Sequence, residues 1–313
     1  MKRIERVACW IMVVSALAVT GCARGGRGPQ AVVDEPMRLV QESAQAAYGA
    51  GAYEEAAAGF SDAITRASLR DDGRAVARYR YQLAACRIAQ GRRSEGRTLL
   101  DAAREEALVA GDGLTAARAE TAAARLALER GDQADSQRLA RLALARPEAQ
   151  ASARLSADIR LVLAEGAVRR GDAVQAKAEL TEAVRGWGRS PPDRSFEAVV
   201  ERVRGQLSLL NGEAQAAGTA FDKESALWQQ GCRFVENADS LERSALAWQK
   251  VGDGPGSANR MYRAARIRAG LGHTDKARLL AGLAAEWAEK ANLPDLRARA
   301  LALVSESGKP VVP

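Results

Sequence analysis

The residues best suited to chemistry are one histidine and four cysteines. His273 lies in the glycine-containing stretch from Gly270 to Asp275, which predicts a surface turn. A zinc site needs several ligands close together, and the sequence has neither a second histidine nor a closely spaced cysteine pair. It also lacks a Gly-x-Ser-x-Gly motif. We therefore predict a protein without enzymatic activity, cofactor or metal site.

The N-terminus has the pattern of an export signal. Lys2, Arg3 and Arg6 precede the apolar run of residues 7–19, which small residues then end. A spanning helix needs about 20 apolar residues, so this run is too short to cross a bilayer with ease. The pattern is typical of a signal peptide, which is removed from the mature protein.

The cysteine that follows this run indicates a particular class of signal peptide. The segment Val19-Thr20-Gly21-Cys22 resembles the bacterial lipobox. The resemblance implies that residues 1–21 are a lipoprotein signal peptide and that Cys22 carries acyl chains such as palmitate. Ala23 follows the cysteine, and in lipoproteins of this kind the absence of Asp there implies retention at the outer membrane. Residues 22–36 are predicted to hold the lipidated cysteine and a flexible tether.

The charge of the chain limits its partners. The formal net charge is +7, and removing the signal peptide takes away three basic residues and one acidic residue, which leaves about +5. An exported basic protein is not expected to bind nucleic acid. An acidic protein face or an anionic membrane surface fits this balance better.

A period of forty residues runs through the rest of the chain. Turn-forming residues recur at spacings of 40 or 41, and each tolerates the left-handed backbone that ends a helix. These turn residues are Gly51, Gly91, Gly131, Gly171, Gly212, Gly252 and Asn292. The pattern predicts seven helical hairpins, none of which buries enough surface to be stable alone.

Residues at fixed offsets from these turns indicate how the helices pack. Seven residues before each turn the residue is always small: Ala44, Ala84, Ala124, Ala164, Gly205, Ala245 and Ala285. Five residues after it a second small position recurs, with Arg297 as the exception. Nine residues after it stand mostly large apolar residues, from Phe60 to Leu301. Two facing small residues let the helices of a hairpin approach closely.

The pattern of a turn glycine, a small residue and then an aromatic, as in Gly51, Ala56 and Phe60, resembles the tetratricopeptide repeat. The usual unit of that family has 34 residues and this unit has forty, so other α/α repeats remain an alternative. The predicted fold is an all-α, tetratricopeptide-like α-solenoid of about seven hairpins over residues 37–306, followed by a disordered tail at 307–313.

Cys86 and Cys232 lie about three units apart and are not expected to form a disulfide.

The resemblance also implies a binding surface. In such arrays the first helices line a concave groove, and residues thirteen, ten, six and three positions before each turn point into it. Carried over to this chain, these offsets give a basic and aromatic surface in the first three units and an acidic one in the last two. The predicted partner-binding residues are Arg38, Tyr48, Arg78, Tyr81, Arg118 and Arg125.

Two functions fit these features. The first is a non-enzymatic, membrane-anchored scaffold of the bacterial envelope that binds a peptide or protein, such as an acidic or carboxylate-terminated segment, in its groove. Such a scaffold would serve as an assembly factor, a secretion or pilus accessory, or a regulator of envelope synthesis. The alternative is a glycan-handling factor or enzyme with its site in the same groove. Fold class alone does not separate them.

We predict that Cys22→Ser abolishes incorporation of a fatty-acid probe during growth, because the thiol that accepts the lipid is gone. The measurement is labelling of the purified chain, followed by fractionation of inner and outer membranes. Cys86→Ser is the matched control and should label like the wild type. Label retained by the Cys22 variant would show that the lipobox prediction is wrong.

Overall fold

The computed structural model describes residues 35–188 and 193–306. The predicted signal peptide, Cys22, the tether as far as residue 34 and the tail from residue 307 lie outside the described residues. The first helix begins at Glu35, two residues ahead of the solenoid boundary predicted from the sequence.

All the regular structure of the described residues is helical, in fifteen helices. Their bounds are α1 Glu35–Gly49, α2 Tyr53–Ser68, α3 Gly73–Ala89, α4 Arg93–Val109, α5 Gly113–Glu129, α6 Gln133–Leu144, α7 Pro147–Ala151, α8 Ala153–Arg169, α9 Ala173–Trp187, α10 Arg194–Leu210, α11 Ala214–Gln230, α12 Phe234–Val251, α13 Gly254–Gly270, α14 Thr274–Lys290 and α15 Pro294–Glu306. Apart from the five-residue α7, consecutive helices pair as seven hairpins, from α1 with α2 to α14 with α15. The predicted all-α solenoid is confirmed.

Each predicted turn residue has a left-handed backbone. The φ angle is 54° at Asn292, 87° at Gly252, and between 76° and 83° at the five other turn glycines. A residue in this conformation ends one helix, and the next helix begins within a few residues. The two helices of each hairpin therefore run antiparallel.

A second series of left-handed residues joins one hairpin to the next. It consists of Asp71, Gly111, Cys232 and Gly272, with φ between 55° and 75°. Sequence analysis did not predict this series, because Asp71 and Cys232 are not glycines. Between the third and fourth hairpins the short helix α7 replaces such a turn, and residues 189–192 between the fourth and fifth are not among those described.

Aspartate follows many of these turns and starts the next helix. Six helices begin at an N-cap aspartate whose carboxylate accepts a hydrogen bond from a backbone N–H of the first turn. At Gly131, Gly171 and Gly252 the cap is the very next residue. A left-handed residue followed by a cap closes one helix and opens another within three residues.

The small positions lie where the two helices of a hairpin come closest. Six of the seven residues that precede the turns are alanines, and all six are buried. At the seventh, Gly205, an added Cβ would lie 2.5 Å from the ring of Phe221 in the facing helix. The prediction for Leu301 is wrong, because its side chain is 45% exposed and Ala300 is buried instead. Helix α15 is the last described helix, and no further hairpin among the described residues covers that side.

The core runs continuously between hairpins. One cluster of buried residues extends from Ala84 in the second hairpin to Leu163 in the fourth. Charged side chains also connect successive hairpins. Arg97 donates a hydrogen bond to Asp135 at 2.9 Å, and Arg260 donates to both carboxylate oxygens of Asp222 at 2.7 and 2.8 Å. Each hairpin thus shares its core and several ion pairs with its neighbours, as expected of a solenoid.

We predict that Gly205→Ala lowers the free energy of unfolding by about 1–3 kcal/mol, because the new methyl group overpacks against Phe221. Gly186→Ala is the matched control, since nothing lies within 4 Å of a Cβ placed there. That change should raise stability by roughly 0.5–1 kcal/mol through helix propensity. Urea unfolding measures both. Equal stabilisation by the two substitutions would contradict the proposed close contact.

Candidate binding channel

A concave cavity of about 490 Å3 is formed mainly by the first helices of the third to sixth hairpins. We call it the main channel. Its polar lining residues are Arg125, Glu129, Arg154, Asp158, Glu165, Arg169, Asp193, Ser195, Arg202, Gln206, Arg233, Glu236 and Arg243. Its apolar lining residues are Leu128, Leu161, Val162, Phe196, Val199 and Trp228. The volume is typical of sites that hold a small molecule or a few peptide residues.

The helical hairpin explains why these side chains meet. Helices α8 and α10 present to the channel residues thirteen, ten and six positions before their turn residues, Gly171 and Gly212. These residues are Asp158, Leu161, Glu165, Val199, Arg202 and Gln206. The predicted offsets therefore identify the concave face of this fold.

Arg233 of the channel, in the sixth hairpin, interacts electrostatically with the first hairpin. Burial raises the pKa of Tyr48, and Arg233 opposes that effect.

Charges of both signs alternate along the channel wall. Arg202 contacts Glu165 at 2.6 Å, between the fourth and fifth hairpins. Burial alone would favour the neutral form of Arg202, yet nearby carboxylates hold its pKa above the ordinary value. Arg243 contacts the fully buried carboxylate of Glu224 at 2.8 Å. These pairs fix the arginine side chains in place before any ligand arrives.

Some polar atoms of the wall have no partner among the described residues. The side-chain oxygen of Gln206 and Nε of Arg243 are both buried and make no hydrogen bond there. Arg169 donates to the Leu128 carbonyl and forms no ion pair within the same ranges. The channel wall thus contains a donor and an acceptor that no described residue satisfies.

A second cavity of about 280 Å3 adjoins the main channel. We call it the arginine pocket. Its lining residues are Tyr81, Arg118, Thr121, Ala122, Arg125, Ser152, Arg154, Leu155 and Asp158. It shares Arg125, Arg154 and Asp158 with the main channel, so the two form one continuous surface.

The structure brings together three of the six predicted partner-binding residues, Tyr81, Arg118 and Arg125, all in the arginine pocket. The other three lie elsewhere. Arg38 is exposed and paired with Glu35 and Glu42. The guanidinium carbon of Arg78 lies 5.4 Å from the centre of the Tyr79 ring. Tyr48 packs edge-on against Tyr53, with ring centres 5.4 Å apart.

The acidic surface predicted for the last two units is largely neutralised. Asp239 pairs with Arg268, and Glu242 contacts Lys276 at 2.9 Å. Glu286 and Glu289 pair with Lys290 and Arg297 in the same way. Offsets counted along the sequence identify the face of the helix but not the counter-ions beside it.

Neither described cysteine nor His273 lines the main channel. Cys86 and Cys232 are both free thiols. Burial raises the pKa of Cys86 to about 11, which disfavours its reactive thiolate. His273 precedes α14 and places Nδ1 3.2 Å from Arg268. Within residues 35–188 and 193–306 there is no group of three potential metal ligands and no helix long and apolar enough to cross a membrane.

Comparison with known proteins identifies the fold. No protein-family model and no curated protein matches the chain. The apo form of RapI superposes with a TM-score of 0.60 at 11% identity, over 87% of this chain and 97% of RapI. A Rap protein complexed with competence and sporulation factor gives 0.57 at 12% identity, with the same two coverages. The apo quorum sensor NprR from B. thuringiensis gives 0.53 at 11% identity over 87% of each chain.

The chain is a tetratricopeptide-like α-solenoid. At identities this low the likeness concerns the fold alone. Within that solenoid, sequence analysis placed the binding residues in units one to three, whereas the main channel lies in units three to six. The same offsets applied to units four and five would have found Glu165 and Arg202.

We predict that Asp158→Asn raises the thermal unfolding midpoint at pH 7. Loss of water in the pocket raises the pKa of Asp158, although Arg125 opposes the effect. The charged carboxylate therefore destabilises the folded state once the pH passes above this raised pKa. The gain should shrink as the pH falls through the raised pKa, and it should vanish well below the ordinary aspartate value of about 3.9, where the carboxyl is protonated in both folded and unfolded states.

Asp222→Asn is the matched control and should act in the opposite direction. Burial alone would raise the pKa of Asp222, but hydrogen bonds from Arg260, Ser244 and Trp248 lower it overall. Its charge therefore stabilises the fold at neutral pH, and that contribution is lost as the pH falls through the lowered pKa. Thermal melts of both variants across pH 3–8 make the test. Destabilisation of the Asp158 variant at pH 7 would contradict this account.

Proposed function

We propose that the chain is a non-enzymatic interaction scaffold that holds an extended segment of another protein in the main channel. The observation that carries this proposal is the channel itself, in which fixed ion pairs and apolar side chains alternate along the concave helices. An extended peptide presents the same alternation of backbone polar groups and side chains.

The dimensions support a peptide occupant. Packed helices lie about 8–10 Å apart, whereas an extended chain rises about 3.3 Å per residue. A segment lying along the channel would therefore meet a new hairpin about every three residues. Phe196 and Trp228 contribute the edges of largely buried aromatic rings to the apolar lining of the channel.

A solved neighbour supports the same use of the fold. The Rap protein of similar architecture was crystallised as a complex with competence and sporulation factor. We infer by analogy that the concave side of this chain also receives a ligand. The residues that would recognise it are those of the main channel.

We place this scaffold in the bacterial envelope, on the periplasmic face of the outer membrane. The support is the sequence pattern that ends at Cys22, with Ala23 after it. Lipid chains at Cys22 would hold the protein on the membrane, because two or more membrane signals give stable anchoring. The partner is then an envelope protein, and the arginines of the channel favour an acidic one.

A site-resolved crosslinking experiment tests the scaffold. A photoreactive amino acid at position 195 replaces an exposed serine that lines the channel. In cells it should form discrete crosslinks to an envelope protein, and mass spectrometry should map them to one segment. The matched control carries the same probe at position 174, where Val174 is 83% exposed and lies outside the channel.

Circular dichroism first confirms that both variants are helical. The proposal fails if position 195 yields no adduct, if the two positions yield the same adducts, or if the channel adducts are glycans.

A further inference from the structure

Two apolar side chains are unusually exposed where the first hairpins join their successors. Leu69 follows α2 and Val109 ends α4, and their exposed fractions of 84% and 93% are the highest among the large apolar side chains of the described residues. Each lies two positions before a left-handed residue, Asp71 or Gly111. One exposed apolar residue is ordinary at a protein surface. The same position repeated in neighbouring hairpins makes a small apolar edge.

The two side chains lie on one face of the molecule. Arg74, just after the first junction, donates a hydrogen bond to the Ala110 carbonyl of the second junction at 3.0 Å. A Cβ placed on Gly73 would lie 3.4 Å from the Cβ of Ala110. Both junctions also line one surface depression of about 720 Å3. Residues 69–74 and 108–113 therefore form a single surface, which we call the junction edge.

Much of the polar chemistry of the junction edge is already used within the protein. The carboxylates of Asp72 and Asp112 accept hydrogen bonds from backbone N–H groups at the starts of α3 and α5. The Arg74 side chain is held by the Ala110 carbonyl. Residues 69–74 contain two arginines and two aspartates, so this stretch has no net charge. The junction edge thus offers apolar contact rather than a strongly charged surface.

The predicted anchor enters at this same end of the first hairpin. Helix α1 begins at Glu35 and runs antiparallel to α2, so Glu35 and Leu69 lie at the same end. Twelve residues, 23–34, separate Glu35 from Cys22. A random coil of that length spans about 20 Å, which is close to the length of a helix such as α1. Lipid chains at Cys22 would therefore keep the junction edge nearer to the bilayer than the opposite end, at Gly51.

Later junctions differ, as far as the structure describes them. At the same offset, the junctions after the fifth and sixth hairpins carry Gln230 and Gly270. Phe234 and Leu271 at those junctions are exposed by only 48% and 38%. They also lie four or more hairpins from the anchor. The most exposed apolar pair is thus found at the junctions closest to the point where the anchor enters.

We propose that the junction edge rests on the bilayer that holds the lipidated Cys22, with Leu69 and Val109 inserted at the level of the headgroups. This inference rests on the proposed membrane anchoring. Apolar side chains of peripheral segments enter the boundary between headgroups and acyl chains. Two such side chains bind weakly alone, but a short link to the lipid raises their local concentration at the surface. The first two hairpins then stand upright on the bilayer, with the turns at Gly51 and Gly91 pointing away from it.

Nitroxide labels at two matched valines test this contact. Val109→Cys places a label on the junction edge. Val174→Cys places one near the Gly171 turn, at the opposite end of its hairpin, where the valine is 83% exposed. Both changes are made together with Cys232→Ser, because Cys232 is exposed whereas Cys86 is buried.

The lipidated protein is added to the outside of preformed vesicles. One set consists of phosphatidylcholine alone, and the other of phosphatidylethanolamine with phosphatidylglycerol. Electron paramagnetic resonance measures how often each label collides with a water-soluble nickel chelate. The unlipidated Cys22→Ser chain, mixed with the same vesicles, gives the reference rate for each label.

We expect the collision rate at position 109, relative to its reference, to be at least about threefold lower than that at position 174 in both kinds of vesicle, because a polar chelate is excluded from the depth that the apolar side chain occupies. Leu69→Asp should raise the rate at position 109 towards its reference. Leu301→Asp is the matched control at an exposed leucine of the last helix and should leave the rate low. Circular dichroism checks that all variants fold.

Three results would overturn the inference. One is equal relative rates at the two positions on the vesicle-bound, lipidated chain. Another is shielding of position 109 only when phosphatidylglycerol is present, which would indicate electrostatic attraction instead of apolar insertion. The third is shielding without vesicles that grows with the concentration of the unlipidated chain, which would indicate that a second copy covers this edge.

The failures of the two proposals are distinguishable. A purified chain that carries no lipid contradicts the anchoring and, with it, this inference. A lipidated chain that binds vesicles but leaves position 109 as accessible as position 174 contradicts the contact of the junction edge alone. The anchored scaffold and its main channel would then be unaffected.

Discussion

The architecture depends on how closely the two helices of each hairpin can approach. That approach is set by a left-handed turn residue and a small residue seven positions before it, repeated through the chain. With only a methyl group or a hydrogen at that point, helix backbones pack side by side and the larger residues fill the space beyond. At Gly205 even a methyl group would collide with Phe221.

Curvature and function follow from this repetition. Because the hairpins repeat the same turn and the same close contact, their first helices collect on the inner side, where those of the third to sixth hairpins line the main channel. The turn then fixes which residues of those helices face inward. Charged pairs between hairpins, such as Arg202 with Glu165, lie on that inner surface and tie neighbouring units together while shaping the channel.

The fold could be predicted most reliably from the sequence where one residue type satisfies one physical requirement. Glycine at a left-handed turn and alanine at a close contact are visible as a period, so the seven hairpins could be predicted. Asp71 and Cys232 adopt the same left-handed backbone although neither is a glycine, and α7 replaces a turn altogether. The junctions between hairpins therefore could not be predicted from the sequence. The binding surface was harder to predict than the fold, because the ion pairs that neutralise Asp239 and Glu242 involve side chains in other helices.

The ion pairs of this solenoid differ in what they do for the fold. Glu120 is buried and accepts two hydrogen bonds from Arg146, so losing either partner would leave an uncompensated buried charge. The charge of Asp158 is compensated less well, because its contact with Arg125 is long. Burial raises the pKa of this carboxyl. Groups with perturbed pKa values of this kind concentrate at active and binding sites. The buried pair of Glu120 with Arg146 lies outside the main channel, whereas the long contact of Arg125 with Asp158 lies in the wall that the main channel and the arginine pocket share.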